Sequence, residues 1–256
     1  MKKFLILSLS GMFFLAAGAA EKEFAFFYAF NRLTPQGFPD LAGNLAPVKP
    51  AGKWEKRKDT VYLDGKTGRI VLHGTKGVSL KNKTLLALVK FYDSGKKAGT
   101  LECSDGLFSR PGDLLTGRDR WQGFYCNYRE VRSSAPRIVP GKFMLMAVNI
   151  IENSDRKLKI ELFINGKRIN WPKASVPKMA ENTNALLEFG CGRGKEWYFH
   201  GEVAMIAMKK KIMSAAEQQR FISDHLSGRV RDLKGIKGDF TADFFSCPPV
   251  EAGKIK

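Results

Sequence analysis

The chain has 256 residues, with 43 Lys and Arg against 25 Asp and Glu, for a formal charge of +18. That balance draws a protein toward anionic surfaces such as acidic polysaccharide, lipid head groups or nucleic acid, and the length is ample to bury a core. Four cysteines without a C-x-x-C pair argue against a zinc knuckle. The only long apolar run is at the N-terminus, which argues against a membrane span later in the chain.

Lys2 and Lys3 precede an apolar stretch from Phe4 to Leu15, broken only by Ser8, Ser10 and Gly11, and Ala17-Gly18-Ala19 supplies a small-residue cleavage pattern. Residues 1–20 are therefore expected to be a signal peptide, since crossing a bilayer takes about 20 apolar residues. Cleavage removes two lysines and no acids, so +18 falls to +16. The mature chain is expected to be secreted, periplasmic or at the cell surface, without stable membrane insertion. Residues 21–226 are expected to form a β-sandwich, and residues 227–256 a basic extension packed on or near it.

Strands are predicted at 24–30, 60–64, 68–73, 85–92, 98–104, 122–128, 142–152, 185–191 and 200–208. The clearest is KLKIELFIN at 157–165, where Leu158, Ile160, Leu162 and Ile164 alternate with Lys157, Lys159 and Glu161. Asn165-Gly166 follows and favours a type I′ hairpin, whose two central residues need positive φ. Residues 34–59, rich in Pro and Gly, and residues 106–121, running through Arg110-Pro111-Gly112 to Arg120-Trp121, are expected to be long irregular stretches. One helix is predicted from Ser214 to Leu226, opened by a capping box of Ser214 and Glu217. Many short strands with one late helix indicate an all-β, two-sheet antiparallel sandwich.

Four cysteines allow three disulfide connectivities in an oxidising compartment. The favoured pairing is Cys103–Cys126, linking two strand-like runs, and Cys191–Cys247, tying down the tail.

The order of these features resembles the laminin-G-like, concanavalin A-type lectin/glucanase jelly rolls. Phe38-Pro39-Asp40-Leu41-Ala42-Gly43-Asn44 is similar to that family's early D-x-S-G-N turn, and LFINGKRI to its hairpin. FGCG…FHGEVAMIAMKKKIMSAAE, within residues 189–217, is similar to the family's closing strand and capped helix. Ala204 stands where an acid is common, Asn165 replaces the hairpin Asp, and Ala42 the turn Ser. No cofactor is assigned, calcium included.

Glucanases on this fold carry a Glu-x-Asp-x-x-Glu strand, which is absent here. Gly-x-Ser-x-Gly and His-Glu-x-x-His are absent too. The enzyme class that fits best is a polysaccharide lyase built on Arg193, Tyr198 and His200, but a non-catalytic module is favoured. Aromatic rings stack on pyranose faces while polar groups take the hydroxyls, so Trp121, Trp171 and Trp197 are candidate ligand contacts. Residues 110–137 hold six arginines (Arg110, Arg118, Arg120, Arg129, Arg132 and Arg137) against three acids, and arginine forks match carboxylate and sulfate. Arg118, Arg120, Tyr125 and Arg193 complete the expected ligand set. The expected partner is a glycan, an anionic polysaccharide in particular, with a protein-interaction domain as the alternative. Export argues against nucleic acid.

Overall fold

The alternation in KLKIELFIN folds as its spacing predicts: Leu158, Ile160, Leu162 and Ile164 are buried, while Lys159 and Glu161 are half-buried. The computed structural model describes residues 23–92, 105–110, 114–118, 124–126, 129–130, 138, 140–152, 158–169, 178–179, 181–192 and 197–226. Residues 1–20 and 227–256, with the signal peptide and basic extension expected there, lie outside the described residues. No described helix is long and apolar enough to cross a membrane.

The larger sheet contains β1 (Phe24–Ala29), β2 (Trp54–Lys56), β3 (Val61–Asp64), β5 (Lys83–Phe91), β10 (Phe143–Glu152), β11 (Leu158–Ile164), β12 (Lys167–Arg168), β13 (Lys178–Met179) and β15 (His200–Lys209). Its order is β12-β11-β10-β5-β15-β3-β2, with β1 also on β15 and β13 on β11. The smaller sheet contains β4 (Ile70–Leu72), β6 (Asp105–Arg110), β7 (Leu114–Arg118), β8 (Phe124–Cys126), β9 (Arg129–Glu130) and β14 (Leu187–Phe189). Its order is β4-β14-β6-β7-β8-β9. All pairings are antiparallel, so the fold is the expected two-sheet sandwich.

Four phenylalanines bridge the layers. Phe91 of β5 lies 5.0 Å from Phe199, which lies 5.7 Å from Phe189 of β14, itself 5.3 Å from Phe108 of β6. Because side chains alternate across a strand, Tyr62, Lys90 and Glu202 fall on the opposite, outer face from Leu63, Phe91 and Val203.

Part of that outer face is covered by α1 (Ala215–Leu226). Phe221 of the helix packs 6.2 Å from Phe24, and Gln219 Nε2 donates to the Asn165 carbonyl at 2.6 Å. The capping box forms as predicted: the Glu217 amide donates to Ser214 Oγ at 3.2 Å, and the Ser214 amide to Glu217 Oε2 at 2.8 Å. Hydrogen bonding and charge from Lys211, aided by the Ser214 amide, hold the Glu217 carboxyl at about 2. A depressed carboxylate contributes stability above its unfolded value and loses it on protonation. This contribution should therefore be complete above about pH 5 and fade as pH falls from 4.5 toward about 2. Glu217→Gln should flatten the acid limb of a pH–melting-temperature profile; an unchanged limb would contradict the assignment.

Asn165 and Gly166 have φ of 51° and 73°, as a type I′ turn requires. The first irregular stretch is mostly as expected, with only β2 and isolated bridges inside it. The second is a correction. Residues 105–110 and 114–118 are strands β6 and β7, paired from Asp105↔Arg118 to Arg110↔Leu114. Pro111 and Gly112 lie outside the described residues, while Gly106 and Gly117 pair within the strands, where Gly106 lets the Cys191 backbone approach: a Cβ at Gly106 would sit 2.3 Å from its carbonyl carbon. The predicted strand at 98–104 lies outside the described residues.

The disulfide expectation is corrected at Cys191, which is a free, buried thiol donating to Glu188 Oε2 at 3.0 Å. Burial, reinforced by the Glu188 carboxylate, pushes this thiol up to about 12, so it stays protonated. Cys103 and Cys247 lie outside the described residues, and Cys126 is described only as backbone of β8.

Candidate functional site

One rung of the larger sheet carries an unusual side-chain sequence. Glu55, Tyr62, Glu202, Lys90 and Phe143 are successive cross-strand partners on β2, β3, β15, β5 and β10. In the neighbouring rung His200 pairs with Asp64, and the Tyr92 amide donates to the His200 carbonyl at 2.8 Å. Thr84, Asn149 and Lys209 lie on the same face six residues along the strands, near the start of α1, roughly 20 Å away at strand rise. Here, by contrast, Tyr62, Tyr92, His200 and Arg57 are half-buried rather than covered.

Glu202 anchors the group. It is 7% exposed and accepts from Thr60 Oγ1 at 2.8 Å, from Arg57 Nη1 at 2.7 Å and from the Tyr92 hydroxyl. Lys90 Nζ lies 3.6 Å from the same carboxylate and 4.6 Å from the Phe143 ring centroid. Burial pushes the Glu202 carboxyl up, but the Tyr92 and Thr60 hydrogen bonds, the Lys90 charge and Arg57 outweigh it and leave the group below its ordinary value. Burial and the bond to Glu202 push the Tyr92 phenol up to about 12. Glu202 is thus anionic and Tyr92 a fixed donor at neutral pH.

The aromatic groups form a triangle. Tyr62 and Tyr92 centroids are 5.8 Å apart, and His200 meets them edge-on at 5.9 and 5.6 Å. Tyr62 Oη and His200 Nε2 are 3.1 Å apart. The Arg57 guanidinium lies 4.5 Å from the Tyr62 centroid, donates to Tyr92 Oη at 2.5 Å, and points Nη2 toward exposed Glu55 at 3.7 Å. Cation–π contact and charge-assisted bonds together fix this planar group. The result is a rigid patch of ring edges, hydroxyls and one guanidinium, flanked by Lys53, Lys56 and Lys58 in the chain.

Most of the sequence-derived ligand set does not bear on this patch. Trp121, Arg120, Trp171 and Arg193 lie outside the described residues. Arg118 and Tyr125 belong to β7 and β8, where Arg118 pairs with Phe124 and Tyr125 with Gly117, in the other sheet. Trp197 is half-buried with φ of 50°, and its carbonyl accepts from the Gly106 amide at 2.5 Å. Left-handed backbone is uncommon for a bulky side chain. Arg110 is a correction: it is fully buried, donates to the Val78 carbonyl at 2.8 Å and lies 3.9 Å from Glu181, so it braces the interior and offers nothing to a ligand. His200 is at the patch, paired with Tyr62. Among the described residues no three His, Cys, Asp or Glu side chains could hold a metal ion.

Sequence reasoning missed Arg57, Tyr62, Lys90, Tyr92 and Glu202. The available signal was weak: Tyr62 and Glu202 occupy outward positions in VYLD and HGEVAM, where a surface residue draws no notice.

No family model and no curated protein matches the chain. Solved structures do. Trypanosoma rangeli sialidase in complex with sialic acid superposes with a TM-score of 0.55 at 13% identity, over 78% of this chain and 32% of the sialidase. Domain 4 of AbnA, a GH43 extracellular arabinanase from Geobacillus stearothermophilus, in complex with arabinotriose, gives 0.54 at 14% identity, over 77% of this chain and 97% of that domain. The receptor-binding domain of botulinum neurotoxin mosaic serotype C/D gives 0.56 at 10% identity, over 81% of this chain and 52% of that one. The chain thus spans about a third of the sialidases it matches. At these identities the likeness establishes the fold, which is the β-sandwich that the concanavalin A-type resemblance implies.

Proposed function

We propose that this chain is an exported, non-catalytic carbohydrate-binding or adhesion module that takes glycans at the outer-face patch of Tyr62, Tyr92, His200 and Arg57, with a preference for uronate or sulfate groups. The observation carrying this reading is the preorganised patch itself: three half-exposed rings with fixed hydroxyl and guanidinium groups, set within 6 Å of one another. Rings and fixed polar groups are what a sugar requires, and the guanidinium suits an anion. An arabinanase domain in complex with arabinotriose, matched over 97% of its length, and a sialidase in complex with sialic acid, matched over 32%, lend support by analogy. The lysines at 53, 56 and 58, and the overall charge of +18, favour an acidic polymer. The N-terminal segment supports periplasmic, surface or secreted placement.

The test is a glycan array that includes heparin, polygalacturonate, sialylated glycans and arabinan, probed with the full chain and with Tyr62→Ala. Binding to an anionic glycan, weakened about tenfold by Tyr62→Ala (~1.4 kcal/mol), is expected. Silence across the array, together with capture of a protein partner, would favour a laminin-G-like protein-interaction domain instead. The Tyr62–His200 contact of 3.1 Å also keeps a lyase reading open to test, since a proton acceptor must stand within reach. Ultraviolet absorbance from unsaturated uronate, appearing in wild type and absent in His200→Ala, would establish it.

A further inference from the structure

Glu202 is an odd residue to find at the centre of such a patch. Its side chain is only 9% exposed, yet four polar groups converge on it from three directions: Thr60 and Arg57 from the β2–β3 connection, Tyr92 from the end of β5, and Lys90 from within β5. A buried carboxylate is costly to desolvate, and a hydrophobic replacement of similar volume is often as stable. Its position therefore calls for a reason other than stability.

We propose that Glu202 is the positioning residue of this face, locking Arg57 and Tyr92 into one arrangement so that a ligand meets one invariant polar edge and one adaptable edge. The inference rests on the binding reading given above. The invariant edge follows from hydrogen-bond direction. Tyr92 spends its proton on Glu202 and accepts from Arg57 Nη1, so its hydroxyl cannot rotate. Arg57 spends Nη1 on Glu202 and Tyr92, its backbone amide donates to the Thr60 carbonyl at 2.9 Å, and Nη2 is turned outward toward Glu55. The fork is held in register for a carboxylate or sulfate, which displaces the 3.7 Å contact with exposed Glu55 rather than the tight one with Glu202.

The adaptable edge is the Tyr62–His200 pair. Either group can donate across the 3.1 Å contact, depending on which imidazole nitrogen carries the proton. Reversing that bond converts the Tyr62 hydroxyl from acceptor to donor without moving a heavy atom. A sugar hydroxyl, which both donates and accepts, is matched in either state. Specificity for the anionic group then resides on the Arg57 side, and tolerance of sugar stereochemistry on the His200 side.

The experiment compares wild type, E202Q, E202D and Tyr62→Ala by calorimetric titration with heparin and polygalacturonate oligosaccharides, and by NMR titration of the tyrosine ring carbons. E202Q should weaken binding about tenfold and let Tyr92 ionise at lower pH; E202D should restore part of both. A purely structural role would lower the melting temperature of E202Q while leaving the affinity of the folded protein unmoved, and that outcome overturns the proposal. Weakened binding by Tyr62→Ala with wild-type binding by E202Q also overturns it, while leaving the face as the binding site. If neither probe binds wild type, or neither variant changes binding, the face is not the site. The binding reading and the positioning role then fall together, whatever the Tyr92 titration shows.

Discussion

Phe199→Ala is expected to lower unfolding stability by about 4 kcal/mol, read as a fall in the urea midpoint at constant slope. Phe199 is fully buried and is the middle ring of the chain that joins Phe91 of the larger sheet to Phe189 and Phe108 of the smaller one. Truncating it removes the transfer energy of a whole ring and opens a cavity between layers, where strands held by ladders on both sides collapse poorly. Its backbone bonds survive the substitution, the amide donating to the Gly190 carbonyl and the carbonyl accepting from the Gly65 amide, and they hold the crossing between sheets open around the cavity. Phe199→Leu, which keeps most of the volume, should cost well under half as much. A loss below about 1 kcal/mol for the alanine variant would mean that the two layers do not meet through this ring.

Asp40→Ala should cost about 3 kcal/mol in the same measurement. Its carboxylate accepts four backbone amides: Phe27 at 2.7 Å and Ala42 at 3.0 Å on Oδ1, with Asn44 at 3.0 Å and Leu45 at 2.9 Å on Oδ2. The first two of these bonds are buried, so truncation strands donors that water cannot reach. Asn44 Nδ2 in turn donates to the Phe24 carbonyl, so the loop is bolted to β1 at both ends. Asp40→Asn keeps one acceptor oxygen and turns an amide toward the other two donors, so it should fall between wild type and alanine. An asparagine variant as stable as wild type would show that the second oxygen holds nothing.

The same residue shows what a sequence can and cannot disclose. The turn Asp40-Leu41-Ala42-Gly43-Asn44 was legible as a motif because its parts are local: the acid, the αL glycine with φ of 73° and the asparagine act within five residues. Asn165-Gly166 and Ser214 with Glu217 were legible for the same reason. The patch was not. Arg57, Tyr62, Tyr92 and Glu202 lie up to 145 residues apart and meet only because β3 and β5 flank β15 in one register. No linear spacing encodes that juxtaposition. Residues 106–121 failed in the opposite sense. Pro111-Gly112 looks like loop punctuation, yet the residues on either side of it are β6 and β7, where Gly106 and Gly117 pair with each other. Arg110 misled because composition counts a charge without knowing that its side chain is enclosed.

One topological detail reaches beyond the static molecule. β1 and β3 share a single edge of β15, end to end, changing over at Ala204, whose carbonyl accepts from the Phe30 amide at 2.9 Å. The first strand therefore has its partner 185 residues downstream, Phe24 against Lys209. A nascent chain halted before residue 200 lacks both the mate of its first strand and the middle of its larger sheet. Pairings so distant close slowly, which keeps the polypeptide extended until nearly all of it has emerged. For a chain exported as proposed, lateness in folding is an asset, because a narrow translocation channel passes unfolded segments and stalls on finished ones.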